Sequence, residues 1–66
     1  MERNIRLDWP NIVTQAIKRR KEQNLTQQQL SVLAGVSKPT LSSFEQMQTS
    51  IKLESAIKIL RVLGLE

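Results

Sequence analysis

Apolar residues recur along most of the chain at intervals of three and four, the period of helices that bury one face. Val13, Ala16, Ile17 and Arg20 trace one such stripe, with Lys18, Arg19 and Lys21 outside it. Asp8 can cap this segment, Pro10 fits its first turn, and Asn24 suits the left-handed residue that closes it. The spacing predicts a first helix over 9–23. Thr26 and Gln29 have the separation of a reciprocal capping box, and Leu30, Leu33 and Ala34 form the inward side of a helix that stops at Gly35. Ser37 caps the next helix, with Pro39 in its first turn and Leu41 and Phe44 inward. After the polar stretch 46–50, Leu53, Ala56, Ile57, Leu60 and Leu63 predict a last helix over 53–63, closed by Gly64. Residues 1–7 lack a helical period and read as an arm, in which Ile5 and Leu7 could form a short extended piece. No strand pattern competes. The expectation is all-α: a compact four- to five-helix domain over 1–66.

Composition narrows the chemistry. At 66 residues the core must be small, so association with a second subunit would help the fold. The chain has no cysteine and no histidine, which excludes disulfide frameworks, the usual zinc sites and histidine-based catalysis. Its acidic residues are scattered, with no pair spaced for acid/base work, so neither an enzyme nor a cofactor or small-molecule ligand is expected. The longest apolar runs are far too short for a membrane span and no secretory signal pattern is present, which predicts a cytoplasmic protein without a membrane partner. A net charge of +4 favours a polyanionic partner, although many basic domains bind no nucleic acid.

The informative stretch is QQQLSVLAGVSKPTLSSFEQ, residues 27–46, the body of a helix-turn-helix spanning 26–45. Two capped helices flank a glycine turn, and small or apolar side chains stand at Leu30, Ser31, Ala34, Val36, Leu41 and Phe44. Two short helices that cross closely need a small residue at Ser31 and a residue tolerant of positive φ at Gly35. Arg20 falls on an inward stripe, where a charge needs a partner, and Glu45 is the only acidic residue of the motif. A structural ion pair between them is expected.

With these residues in place, the run LTQQQLSVLAGVSKPTLSSFEQ resembles the lambdoid phage repressor and Cro family, also called the XRE-type helix-turn-helix family, over about residues 9 to 64. The resemblance implies a lambda-repressor-like fold that docks helix 38–45 in the major groove of a duplex operator. It implies base reading by Gln27, Lys38, Pro39 and Ser43, with Ser42 on the same face, and an Arg20–Glu45 pair. Lysine can donate to guanine, serine can bond either base type, and Gln27 can touch a phosphate or brace a base contact. Pro39 departs from the family pattern, since proline offers only apolar contact, and it also reads simply as a helix starter. Phosphate contacts are expected from Thr26, Ser37, Thr40, Gln46 and Lys52, aided by helix N-termini. The motif itself is electrically neutral. Basic charge is concentrated in residues 1–24, where Arg19 and Lys21 read better as a solvated face. The loop after Glu45 lacks the family's usual glycine, and Lys52 stands where a hydroxyl cap is common.

Ile59, Val62 and Leu65 lie beside the last helix's expected core stripe. This surplus predicts a two-fold interface, helped by Met47, Ile51 and the arm, that sets two recognition helices about 34 Å apart on a palindrome. A thick core edge is the alternative. Three functional readings follow: an operator-binding autorepressor; an antitoxin of the HipB type, which SKPTLSSFEQ and IKILRVLGLE resemble and which would also bind a toxin protein; or a helical adaptor without DNA contact.

Overall fold

The computed structural model describes residues 8–65. Its described residues form four helices: α1 (Trp9–Glu22), α2 (Gln27–Ala34), α3 (Lys38–Glu45) and α4 (Leu53–Val62). The arm expected over residues 1–7 lies outside the described residues. The fold is all-helical and lambda-repressor-like, with α3 packed against each of the other three helices.

Local chemistry sets the helix ends. Asp8 accepts from the Asn11 amide at 3.2 Å, Ser37 accepts from the Thr40 amide at 3.2 Å, and Thr26 and Gln29 form a complete capping box. Asn24, Gly35, Met47 and Gly64 follow the four helices in turn, each with a positive φ. After each of the four helices the next residue's amide returns to a carbonyl five positions back: Leu25 to Arg20, Val36 to Ser31, Gln48 to Ser43 and Leu65 to Leu60. The loop without glycine therefore closes α3 as the others close their helices, and Met47 carries the left-handed conformation (φ 65°).

The core joins Val13 and Ala16 of α1, Leu30 and Ala34 of α2, Leu41 and Phe44 of α3, and Ala56, Ile59 and Leu63 from the last helix and its cap. Phe44 is fully buried at its centre, and Trp9 meets it edge-on with ring centroids 5.4 Å apart. Ser31, also buried, donates to the Gln28 carbonyl at 2.7 Å, so the small residue that the helix crossing requires leaves no orphaned hydroxyl.

Three expectations need correction. Leu33 is 59% exposed: burial of Ser31 turns the inward face of α2 towards Ser31 and away from Leu33. Leu53 is 70% exposed and Ile59 is fully buried, so α4 is turned by roughly 60° from the expected phase. Both phases share Ala56 and Leu63, and the apolar residues around the rest of α4 do not choose between them. Ile59 is thus spent inside its own chain and is not an interface residue, while Val62 and Leu65 are half-buried against the core. Arg19 is not simply solvated: its Nη1 donates to the Leu63 carbonyl at 2.9 Å, where it ties α1 to the end of α4.

A methionine held at positive φ strains its backbone, and Met47 is 41% exposed, so little packing opposes its replacement. Met47→Gly is expected to raise the unfolding free energy by about 1 kcal/mol in urea denaturation. An unchanged or lowered midpoint would contradict the strain.

Candidate nucleic-acid interface

The outer face of α3 follows from its inner one. Leu41 and Phe44 are fully buried, so Lys38 and Pro39 in the first turn are exposed and Ser42 and Ser43 sit half-buried at the edge. The Ser37 and Thr40 hydroxyls share a hydrogen bond at 2.7 Å. Gln46 donates through Nε2 to the Ser42 hydroxyl at 3.0 Å, which joins a base-reading and a phosphate candidate on one turn. All of these groups except Lys38 are neutral, so what this face offers is hydrogen bonds and shape rather than charge.

Behind that face, one carboxylate gathers three elements. Glu45 accepts from Arg20 Nε at 2.8 Å and Nη2 at 3.2 Å in a two-pronged pair, and from Gln27 Nε2 at 2.8 Å. Arg20 Nη1 donates to the Leu25 carbonyl at 2.8 Å. The side chains of Arg20 and Glu45 are only 12% and 8% exposed. The network pins the end of α3 to α1, to the loop before α2 and to the first residue of α2. Gln27, expected to reach a base, has one amide N–H committed to Glu45. Its role in this structure is to continue the bracing behind α3.

A cleft of about 330 Å³ lies beside α3, lined by Thr40, Ser43, Ser50, Ile51, Lys52 and Ser55. Lys52 caps α4 by position alone, with no side-chain hydrogen bond to the first-turn amides. Unsatisfied amides, four hydroxyls and a lysine converge there, a set of donors suited to an anionic oxygen. The structure thus brings Thr40, Ser43 and Lys52 together, while Thr26 stands at the start of α2 as a fully engaged cap. Ser50 and Ser55 were missed in the sequence, where isolated serines around a loop carry no signal until the fold places them on one cleft. Among the described residues no cluster of metal-binding side chains occurs, and no helix is long and apolar enough to cross a membrane.

A capped helix, a left-handed glycine turn and a second capped helix, crossing over a buried serine, define a helix-turn-helix domain, which is a DNA-binding architecture. Residues 17–66 match the helix-turn-helix family, and the chain belongs to this XRE-type helix-turn-helix family. It is also similar to an uncharacterized HTH-type transcriptional regulator of Haemophilus influenzae, with 34% identity over 53 residues, which cover 80% of this chain and 54% of that protein. The chain therefore spans about half the length of this curated relative.

Removal of one partner from a buried pair strands the other charge. Glu45→Ala is expected to cost about 3 kcal/mol, and replacing Arg20 and Glu45 together with leucine less than the sum of the two single leucine changes. Urea denaturation of the single and double variants measures both quantities; additive losses would show that the two side chains are not coupled.

Proposed function

We propose that this chain is a sequence-specific DNA-binding regulator that docks α3 in the major groove and represses by occupying its operator, its own promoter being the first candidate. The observation that carries the reading is the contrast between the two sides of α3. Its inner side is locked by Leu41, Phe44 and the Glu45 network, whereas its outer side offers Lys38, Pro39, Ser42 and Ser43 to a groove. A rigid helix with a polar face meets the need of base recognition, in which a misplaced donor loses its bond.

In this reading Lys38 donates to a guanine edge, Ser43 reads an adjacent base, and Pro39 packs on a thymine methyl. Thr40, Ser50, Lys52 and Ser55 hold a backbone phosphate in the polar cleft, where the first-turn amides of α4 add their dipole. Ser37 and Gln46 at the two ends of α3, and Thr26 at the start of α2, serve register rather than sequence in this reading. Two copies on a palindrome give the affinity that one small neutral motif lacks.

A second reading, an antitoxin that also captures a toxin protein, has one supporting observation. Val32 and Leu33 are 68% and 59% exposed, and with Leu25, Gln28 and Gln29 they line an apolar cleft of about 360 Å³ on the outer face of α2. Capture of a toxin through this cleft, abolished by Val32→Gln, would favour it.

A gel shift on the DNA upstream of the chain's own gene, against random competitor at two salt concentrations, tests the main reading. The expected result is a specific, salt-sensitive complex of two protomers; equal affinity for random DNA overturns it. Lys38→Ala should remove about 1–3 kcal/mol of discrimination at its base pair, whereas Lys52→Ala should weaken all sequences alike and lower the salt slope by about one.

A further inference from the structure

We propose that Gln46 fixes the hydrogen-bond polarity of Ser42, so that Ser42 presents its proton to the major groove and rejects cytosine on the strand it faces. The proposal rests on the DNA reading above and names the base chemistry that one position of α3 accepts. A serine hydroxyl carries one donor and two acceptor sites and turns to suit its neighbour, so on its own it distinguishes bases poorly. The hydroxyls of α3 and its cap differ in their freedom to turn. Ser37 and Thr40 bond each other at 2.7 Å, and the Ser37 oxygen also accepts from the Thr40 amide. Ser43 makes no side-chain hydrogen bond among the described residues and can meet either a donor or an acceptor. Ser42 differs from all three. Its oxygen accepts from Gln46 Nε2 at 3.0 Å, and among the described residues its own proton has no acceptor. A helical serine often returns its proton to a carbonyl one turn back, as Ser31 does to Gln28 at 2.7 Å. Ser42 instead fills an acceptor site from its own chain and keeps the proton available.

Three features hold the Gln46 amide in this sense. Gln46 stands four residues after Ser42, and its backbone N–H donates to the Ser42 carbonyl at 3.0 Å, so the two side chains share one face. Its Oε1 accepts from Gln48 Nε2 at 3.4 Å, a long bond that nevertheless leaves the nitrogen rather than the oxygen for Ser42. Met47 brings Gln48 within reach: its positive φ turns the chain so that the Gln48 amide returns to the Ser43 carbonyl at 3.1 Å. Third, Nε2 has a second N–H, which a backbone phosphate beside Gln46 attracts while it repels Oε1. Gln46 therefore keeps its phosphate, touches no base, and acts on sequence only through Ser42. Guanine offers N7 and O6 to the major groove, adenine N7 and thymine O4, whereas cytosine offers only the hydrogens of N4. An outward Ser42 proton thus finds an acceptor on every base but cytosine, where hydrogen meets hydrogen and the docked helix leaves the donor unpaired.

The test selects duplexes from a random pool with the unaltered chain. Binding to all four base pairs at each position of the enriched site is then measured for the unaltered chain, Ser42→Ala and Gln46→Glu, with thermal melting to check that each variant is folded. The position read by Ser42 is the one whose preference Ser42→Ala erases. There the unaltered chain is expected to bind cytosine about three- to tenfold more weakly than the best base, and Ser42→Ala to bind all four bases within about twofold. In Gln46→Glu the carboxylate takes the Ser42 proton and turns the oxygen outward. Cytosine should then be accepted through its N4 donor, while the added charge weakens every duplex alike. Tolerance of cytosine by the unaltered chain, exclusion of cytosine that survives Gln46→Glu, or a Ser42→Ala that changes no position overturns the proposal. Proton–nitrogen NMR of the free chain gives a readout independent of DNA: the Gln46 side-chain amide signals should move in Ser42→Ala, and signals that stay in place also overturn it. Failure of the DNA reading looks different. No enriched duplex from any of the three proteins refutes DNA recognition, and the base contact with it, even where the amide signals show the Ser42–Gln46 bond to be present.

Discussion

The position of α3 depends on the Glu45 carboxylate. Both of its oxygens are engaged, one by Arg20 alone and one shared by Arg20 and Gln27, in a place where water has little access. A charge there is tolerable only because its partners are complete. The arrangement favours one docking of α3 over its neighbours more than it deepens stability, because each of its bonds has a required direction. The Leu25 carbonyl extends that constraint into the loop before α2, so the two helices of the motif and α1 are tied through one set of hydrogen bonds. The anchored end of α3 carries the network, and the opposite end, with Lys38 and Pro39, stays exposed.

Helix boundaries were legible because they rest on local chemistry. Asp8, Thr26 and Ser37 announce starts and Asn24, Gly35 and Gly64 announce stops, and each does so through atoms within a few residues of itself. The end of α3 was equally sharp but silent, since methionine at positive φ has no sequence signature. The Arg20–Glu45 pair could be read because a charge on an inward stripe demands a partner and only one acid was within the motif. Gln27 was harder: its position suggested the groove, and its bond to Glu45 emerges only when α2 and α3 are set side by side.

Phase and reach were the illegible quantities. α4 carries apolar residues around much of its circumference, so pattern alone admitted two rotations and packing against α2 and α3 selected the one that buries Ile59. The same rotation turned Leu53 outward, which a stripe drawn through Leu53 and Leu60 could not foresee. Arg19 illustrates reach: its Cβ leaves the core face as periodicity requires, yet its long side chain folds back to a carbonyl at the far end of the chain. A small domain uses such returns because its core has few residues to spare.

The segment from Thr49 to the start of α4 carries the consequences of that rotation. Its polar side, with Ser50 and Lys52, faces the cleft beside α3, and Leu53, turned outward as the first residue of α4, stands on the cleft beside Trp9. Ile51 lines both clefts and packs on the core, so one half-buried side chain fixes the two surfaces relative to each other. A domain with so small a core thereby sets two chemically different surfaces on either side of one short segment without the addition of a further helix.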